Sequence, residues 1–211
     1  MCTESEVISI VDYKMGNIKS IQNALSFLQV RHDVIDKQEK ILEAEKIILP
    51  GVGSFRQAMQ NIHKMNLYEP IREVALKQNT PILGICLGMQ LLADFGEEDG
   101  GVNGLGLIPG SVRKFLPKDN ALKIPHIGFN SVSVNGYSTL FDDLNATTDF
   151  YFVHSYHFVT NNDKDVTSYC VYGDKFVASL QKNNIFGTQF HPEKSQANGL
   201  KLLKNFIKMG E

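Results

Sequence analysis

Apolar residues follow two patterns along this chain, and the patterns alternate through its first half. Val7-Ile8-Ser9-Ile10-Val11 is a short, nearly continuous apolar run, as a strand buried on both faces requires. Ile18, Ile21, Leu25 and Leu28 then recur every three or four positions, which predicts a helix over 17–28 with Asn17 as its N-cap. The cycle repeats with strands over 32–36 and 46–49, the second closed by Pro50-Gly51-Val52-Gly53. Helices over 54–63 and 69–77 follow, and then a strand over 81–85 that runs directly into a helix over 87–95. Alternation of this kind implies βαβ units and a parallel sheet covered on both faces.

The second half has a different pattern. Over 104–190 come short strand-like runs broken by Gly, Asn and Asp, at 150–153, 158–160, 176–180 and 184–190. They predict antiparallel strands that extend one edge of the sheet. A last helix over 197–209 repeats Leu200, Leu203, Phe206 and Ile207. No repeat, biased segment or linker divides the 211 residues, so one domain over 1–211 is expected. The expected fold is a three-layer α/β domain with a mainly parallel central sheet and an antiparallel extension.

Composition narrows the function classes. With 43% hydrophobic and 21% charged residues the chain is globular, not disordered or a coiled coil. Its net charge of −2 and lack of a basic patch argue against a nucleic-acid or membrane-surface partner. The longest apolar stretch, 81–93, is shorter than a bilayer span and carries a proline and two glycines. Cysteines Cys2, Cys86 and Cys170 are odd in number, with no CxxC pair. Together with the acidic, polar start of the chain, they predict a cytoplasmic protein without disulfides. No three of the six histidines stand at ligand spacing, so neither a metal nor a cofactor is expected.

The segment richest in chemistry is Gly84-Ile85-Cys86-Leu87-Gly88, at the junction of a predicted strand and a predicted helix. It is the thiol counterpart of the G-x-S-x-G nucleophile elbow, whose tight turn needs small residues on both sides. A helix N-terminus behind Cys86 favours thiolate, and the amide of Leu87 is placed to stabilise an oxyanion. A lone cysteine here would read as core packing; the glycines on both sides favour a nucleophile. Such a cysteine needs a histidine. In Phe190-His191-Pro192-Glu193-Lys194-Ser195, Pro192 favours an extended His191, and positions two apart then share a face. Glu193 would therefore orient the imidazole. Taken alone, this segment fits a surface turn equally well; with the elbow it reads as a Cys86–His191–Glu193 triad.

The other histidines carry less. His32 and His63 fit exposed faces, His126 and His154 fit satisfied core or loop positions, and His157 fits an exposed strand position. Gly51-Val52-Gly53 lacks the third glycine of a dinucleotide fingerprint and has no Gly-Lys-Ser/Thr. Its better role is a bend that brings backbone amides near Cys86 as the second half of an oxyanion hole, though an ordinary strand-to-helix turn also fits.

In the stretches from Pro81 to Gln90 and from His191 to Ser195, the chain resembles a class I (triad-type) glutamine amidotransferase. The stretches from Leu49 to Phe55, from Pro125 to Asn130 and from Tyr151 to Tyr156 resemble, within that class, glutaminase subunits of imidazole glycerol phosphate synthase. The likeness runs from Asp12 to the C-terminal helix. It implies that Cys86 forms a γ-glutamyl thioester, that His191 carries the protons and that Glu193 orients it. Amides of Leu87 and of Gly51, Val52 and Gly53 would hold the oxyanion. Gln90, Glu98, Ser155 and Tyr156 would bind glutamine. The resemblance also implies a (β/α)8-barrel cyclase partner that forms a heterodimer and receives the ammonia, with Phe129, Asn130, Tyr151 and Lys194 near it.

Phe129 stands where this family usually has tryptophan, and with Lys14 it leaves a paralogous role open: ammonia supply for amidation of N-acetyl sugars in surface glycans. A cysteine hydrolase on the same elbow is a third reading. A non-catalytic scaffold is a fourth, and the intact trio of Cys86, His191 and Glu193 argues against it.

Overall fold

A computed structural model of the chain describes residues 7–116 and 122–209; Cys2 lies outside them. The first half runs β1 (Ile8–Val11), α1 (Ile18–Phe27), β2 (His32–Ile35), α2 (Gln38–Leu42), β3 (Lys46–Leu49), α3 (Phe55–Lys64), α4 (Tyr68–Leu76), β4 (Ile82–Ile85) and α5 (Leu87–Leu91). Then come β5 (Phe95–Gly96), β6 (Val102–Asn103), β7 (Gly110–Lys114), β8 (His126–Val134), β9 (Thr147–His154) and β10 (Tyr156–Thr160). The chain ends with β11 (Val166–Tyr172), β12 (Asp174–Lys182), β13 (Ile185–Thr188) and α6 (Gln196–Ile207).

Nine strands form one sheet in the order β2-β1-β3-β4-β13-β12-β11-β8-β9. From β2 to β13 neighbours pair parallel; from β13 through β12, β11 and β8 to β9 they pair antiparallel. Every residue of β1, β3 and β4 is buried, as the apolar runs require. Alternate residues feed opposite faces. Ile47, Leu49 and Ile82 pack with Phe55, Met59 and Ile62 of α3 and Ile71 and Val74 of α4. Ile48, Leu83 and Ile85 pack with Ile21 and Leu25 of α1 and Leu202, Leu203 and Phe206 of α6. The three-layer architecture is therefore the one expected. Buried Lys46 in β3 donates from Nζ to the Ile207 carbonyl, tying the C-terminus of α6 to the sheet.

Several local expectations are corrected. Residues 158–160 do not extend the main sheet: β10 pairs with β7 in a second sheet, ordered β10-β7-β5-β6. The chain bends at Ser155, whose carbonyl accepts from Phe115 N at 2.8 Å, and this turns β10 onto β7. The helix after the elbow stops at Leu91, short of residue 95. Its last carbonyls are taken by a neighbouring loop, with Leu105 N on Leu91 O and Leu107 N on Leu92 O, both at 2.8 Å. Asn17 does not cap α1 with its side chain, whereas Ser54 does cap α3, accepting from Gln57 N at 3.4 Å. The short helix α2 has too few residues to show a period and was not expected.

Candidate active site

The elbow is built by close approach of backbone to backbone. Cys86 has φ 54° and ψ −107°, a strained conformation for a residue with a side chain. A Cβ on Gly88 would lie 1.8 Å from the Leu49 carbonyl oxygen, and one on Gly84 would lie 2.7 Å from the Gly88 oxygen. Both glycines are thus required for β4 to turn into α5. The turn leaves the Cys86 side chain 5% exposed at the floor of a cavity of about 540 Å³.

His191 and Glu193 meet behind Cys86. His191 Nδ1 lies 2.8 Å from Glu193 Oε1, and both side chains are 2% exposed. The contact arises differently from the expected alternation of an extended segment. His191 is extended, but Pro192–Lys194 is one 3-10 turn, and that turn carries the carboxylate back under the ring. Ser195 fixes the arrangement: its hydroxyl donates to His191 O at 2.6 Å and accepts from Tyr151 N at 2.9 Å.

The second ring nitrogen, Nε2, is buried and outside hydrogen-bond geometry, yet the Cys86 sulfur is near enough to act on the ring. Catalytic contacts in ligand-free enzymes are commonly this loose. Burial lowers the imidazole pKa, but the charge and nearness of the Cys86 sulfur and the Glu193 carboxylate outweigh burial and carry it up to about 10. At neutral pH the ring is then a cation beside the Cys86 sulfur, the state in which it can give a proton away.

Most of the other predicted residues converge here. Val52, Gly53, Leu87, Gln90, Glu98, Ser155, Tyr156 and Lys194 line the cavity, joined by Pro125, Val153 and His154. Gly51 lies beneath it. Val52 N donates to Met15 O at 2.9 Å and Leu87 N to Gly51 O at 3.4 Å, so these two amides are engaged with protein carbonyls. An oxyanion on a Cys86 adduct must take them over. Glu98 Oε2 accepts from Phe55 N at 2.6 Å, at the N-terminus of α3. Burial raises its carboxyl pKa; that hydrogen bond opposes the shift and Asp99 reinforces it. Both Gln90 amide hydrogens are committed, to Tyr156 O at 2.9 Å and to Gln189 Oε1 at 3.1 Å. Its carbonyl oxygen is what it can offer a ligand.

Phe129 and Tyr151 are cross-strand partners on β8 and β9 with ring centroids 5.6 Å apart, and Phe129 is half exposed. Lys194 Nζ lies 5.9 Å from the Tyr151 ring centre, and Asn130 Nδ2 donates to Val171 O at 3.0 Å. Phe129, Tyr151 and Lys194 therefore form one cluster, with Lys194 at the cavity, whereas the Asn130 side chain is on the other face of β8, against His126 and Val171.

Two residues escaped the reading of the sequence. Gln189 is fully buried and donates from Nε2 to Cys86 Sγ at 3.8 Å. Tyr13 is buried beneath the glycine loop and donates to Pro50 O; burial, then the charge on Cys86, hold its pKa well above the ordinary value. No local pattern marks either one, because each acts across a long sequence separation. His157, expected on an exposed position, is half-buried against Phe115 at 5.2 Å. Among the described residues, no cluster of three His, Cys, Asp or Glu could hold a metal, and no helix is long and apolar enough to cross a membrane.

Comparison with known proteins adds to this geometry. The family model described as "Glutamine amidotransferase class-I" matches residues 9–209. "Imidazole glycerol phosphate synthase subunit HisH 1" of Campylobacter jejuni is 46% identical over 203 residues, covering 96% of this chain and 100% of the relative. The HisH subunit of Moorella thermoacetica is 48% identical over 199 residues, covering 94% and 93%. Among solved structures, PurLQS from Thermotoga maritima superposes with a TM-score of 0.73 at 20% identity, covering 96% of this chain and 98% of that one. A putative GMP synthase subunit from Thermoplasma acidophilum gives 0.71 at 21% identity, covering 97% and 94%. At these identities the structures speak for the fold alone.

Proposed function

The chain belongs to the class I glutamine amidotransferases, and from that premise we propose that it is the glutaminase subunit of an imidazole glycerol phosphate synthase, acting as one domain in the cytoplasm. The observation that carries the reading is the strained elbow of Cys86 over a buried His191–Glu193 pair, in a cavity sized for an amino acid.

The residues support the following course. The Cys86 sulfur anion attacks the side-chain amide carbon of glutamine, and the carbonyl oxygen becomes an oxyanion. Cationic His191 gives its proton to the departing nitrogen, so ammonia leaves and a γ-glutamyl thioester remains. Neutral His191 then takes a proton from water as that water attacks the thioester. Glutamate departs, and sulfur anion and imidazolium are restored. Glu193 holds the ring and stabilises its charged form. Every group in the cycle is a protein group, so no cofactor is called for. Gln90, Glu98, Ser155 and Tyr156 bind glutamine's amino and carboxylate ends.

The oxyanion takes its hydrogen bonds from Leu87 and the Gly51-Val52-Gly53 loop. Since Val52 and Leu87 spend their amides on Met15 and Gly51, the loop has to turn before it can serve, and the chain alone hydrolyses glutamine slowly. The partner that turns it is a (β/α)8-barrel cyclase forming a heterodimer over Phe129, Asn130, Tyr151 and Lys194, and it uses the ammonia to make imidazole glycerol phosphate and AICAR. Phe129 keeps an apolar face there without an indole N–H. Sugar amidation uses the same glutaminase chemistry, and the HisH relatives favour the histidine pathway over it.

The test is glutamine hydrolysis by the chain alone and with the cyclase and its nucleotide substrate. Strong stimulation is expected, and Cys86→Ser should abolish hydrolysis while ammonia-dependent synthesis survives. A folded, active cyclase that leaves hydrolysis unchanged would move the assignment to the sugar-modifying partner.

A further inference from the structure

Cross-strand partners His126 on β8 and His154 on β9 point their rings at each other, with Nδ1 of His126 2.9 Å from Nε2 of His154. His154 Nδ1 lies 2.8 Å from the Tyr156 carbonyl oxygen. That oxygen can only accept, so His154 carries its proton on Nδ1 and its Nε2 is the acceptor. The nitrogen facing it, Nδ1 of His126, must therefore be the donor. His126 Nε2 is then an acceptor too, and Asn130 Nδ2 reaches it at 3.4 Å. Asn130 cannot be reversed, because its Oδ1 accepts from Ser131 N at 2.8 Å and its Nδ2 also donates to Val171 O. One obligate acceptor thus dictates every proton along the line.

The line does not stop at Tyr156. The same carbonyl accepts from Gln90 Nε2, Gln90 donates onward to Gln189, and Gln189 donates to the Cys86 sulfur. The rings cannot swing away. His126 is stacked between Phe152 at 4.9 Å and Tyr172 at 4.1 Å, and His154 lies against Phe176 at 5.1 Å and Phe115 at 5.9 Å. Around them the other titratable groups are His157, His191 and Tyr172, and no carboxylate is hydrogen-bonded to either ring among the described residues. Burial keeps both rings neutral at pH 7.

We propose that Asn130, His126 and His154 are positioning residues: a line of fixed hydrogen bonds through which strand β8, beside exposed Phe129, sets the Tyr156 carbonyl and the glutamine-facing side chain of Gln90. The proposal rests on the glutaminase reading for its substrate, but its hydrogen-bond content does not. A partner that shifts β8 would pull on Asn130 and reach the glutamine pocket without crossing open solvent. A protonated ring anywhere in the line would put two N–H groups face to face and break it.

Two measurements test this on the full chain. Long-range ¹H–¹⁵N NMR of labelled protein at neutral pH should show His126 and His154 both neutral, protonated at Nδ1 and bare at Nε2. Either ring charged, or protonated at Nε2 alone, would overturn the proposal whatever the enzyme does. The second is a double-mutant cycle on the KM for glutamine, with the partner present. Asn130→Ala should raise KM about fivefold, the worth of one hydrogen bond, and have no further effect when His126→Phe has already cut the line. Effects that simply multiply would refute the coupling. His154→Asn keeps a donor for the Tyr156 carbonyl but loses contact with His126, so it should raise KM as His126→Phe does and likewise abolish the Asn130 effect. Absence of any glutamine hydrolysis would instead refute the functional reading, and the NMR result would then decide the hydrogen-bond line alone.

Discussion

Lowering the pH from about 7.5 to about 5 should cost this protein several kcal/mol of stability through its buried neutral histidines. His126 is 2% exposed and His154 5% exposed, and burial pushes their pKa values down to about 4 and about 3. In the unfolded chain both sit near the ordinary value of about 6.5. Below that pH the unfolded chain binds protons that the folded chain refuses, so stability falls as pH falls. By about pH 5 each histidine contributes a loss of about 2 kcal/mol, together about 4 kcal/mol. The loss continues until the folded rings themselves accept protons, near pH 4 for His126 and near pH 3 for His154. Half-buried His157 is shifted the same way and adds to it. His191 offsets part of this: its pKa is raised, so the folded ring is charged throughout while the unfolded one gains its proton only near about pH 6.5, returning about 1 kcal/mol between about pH 7.5 and about pH 6 and nothing further below. A domain of this size has only about 5–15 kcal/mol to lose. Urea unfolding followed by circular dichroism at pH steps down to about 5 avoids the carboxylate range and reads the effect directly. His154→Gln should remove about 2 kcal/mol of the loss. A flat profile over that range, or an unchanged loss in the variant, would refute the reasoning.

Other consequences are as concrete. Cys86→Ala removes the interactions that hold the His191 pKa near 10, and with burial left opposed only by Glu193 the pKa should fall, read from imidazole NMR shifts; an unmoved value would mean that Glu193 alone sets it. Gly88→Ala forces a Cβ to 1.8 Å from the Leu49 oxygen, so it should destabilise the elbow by more than about 2 kcal/mol and abolish hydrolysis, checked by thermal unfolding and a glutaminase assay. Phe129→Ala should leave the fold intact, since the ring is half exposed, and reduce stimulation by the cyclase; equal stimulation would remove Phe129 from the interface. Lys46→Met leaves the Ile207 carbonyl without its buried donor and should lower stability by about 1–3 kcal/mol in denaturant unfolding.

The layered fold was legible because its signals are local. The buried runs at β1, β3 and β4 and the three-to-four spacing in α1, α3 and α6 are read within a dozen residues, and the elbow announces itself through Gly84 and Gly88. The second sheet was not legible. Residues 158–160 look like any strand, and only the bend at Ser155, held by Phe115, selects β7 as their partner. The same holds for the end of α5, where a loop more than ten residues onward takes the helix carbonyls.

At the site, the sequence by itself determined which side chains are available for chemistry: Cys86 in a turn that demands glycines, and a histidine and a carboxylate two residues apart. Composition and spacing carry that much because the backbone's geometry is short-range. Only the tertiary structure decided how those groups are used. It joined His191 to Glu193 through a 3-10 turn, occupied the amides of Val52 and Leu87 with Met15 and Gly51, and brought Gln189 to the sulfur. It also paired His126 with His154 across 28 residues, where the sequence shows two unremarkable core histidines. The physical reason is that a hydrogen bond is specified by atoms within about 3 Å, and which atoms those are depends on strand register, set by packing over the whole sheet.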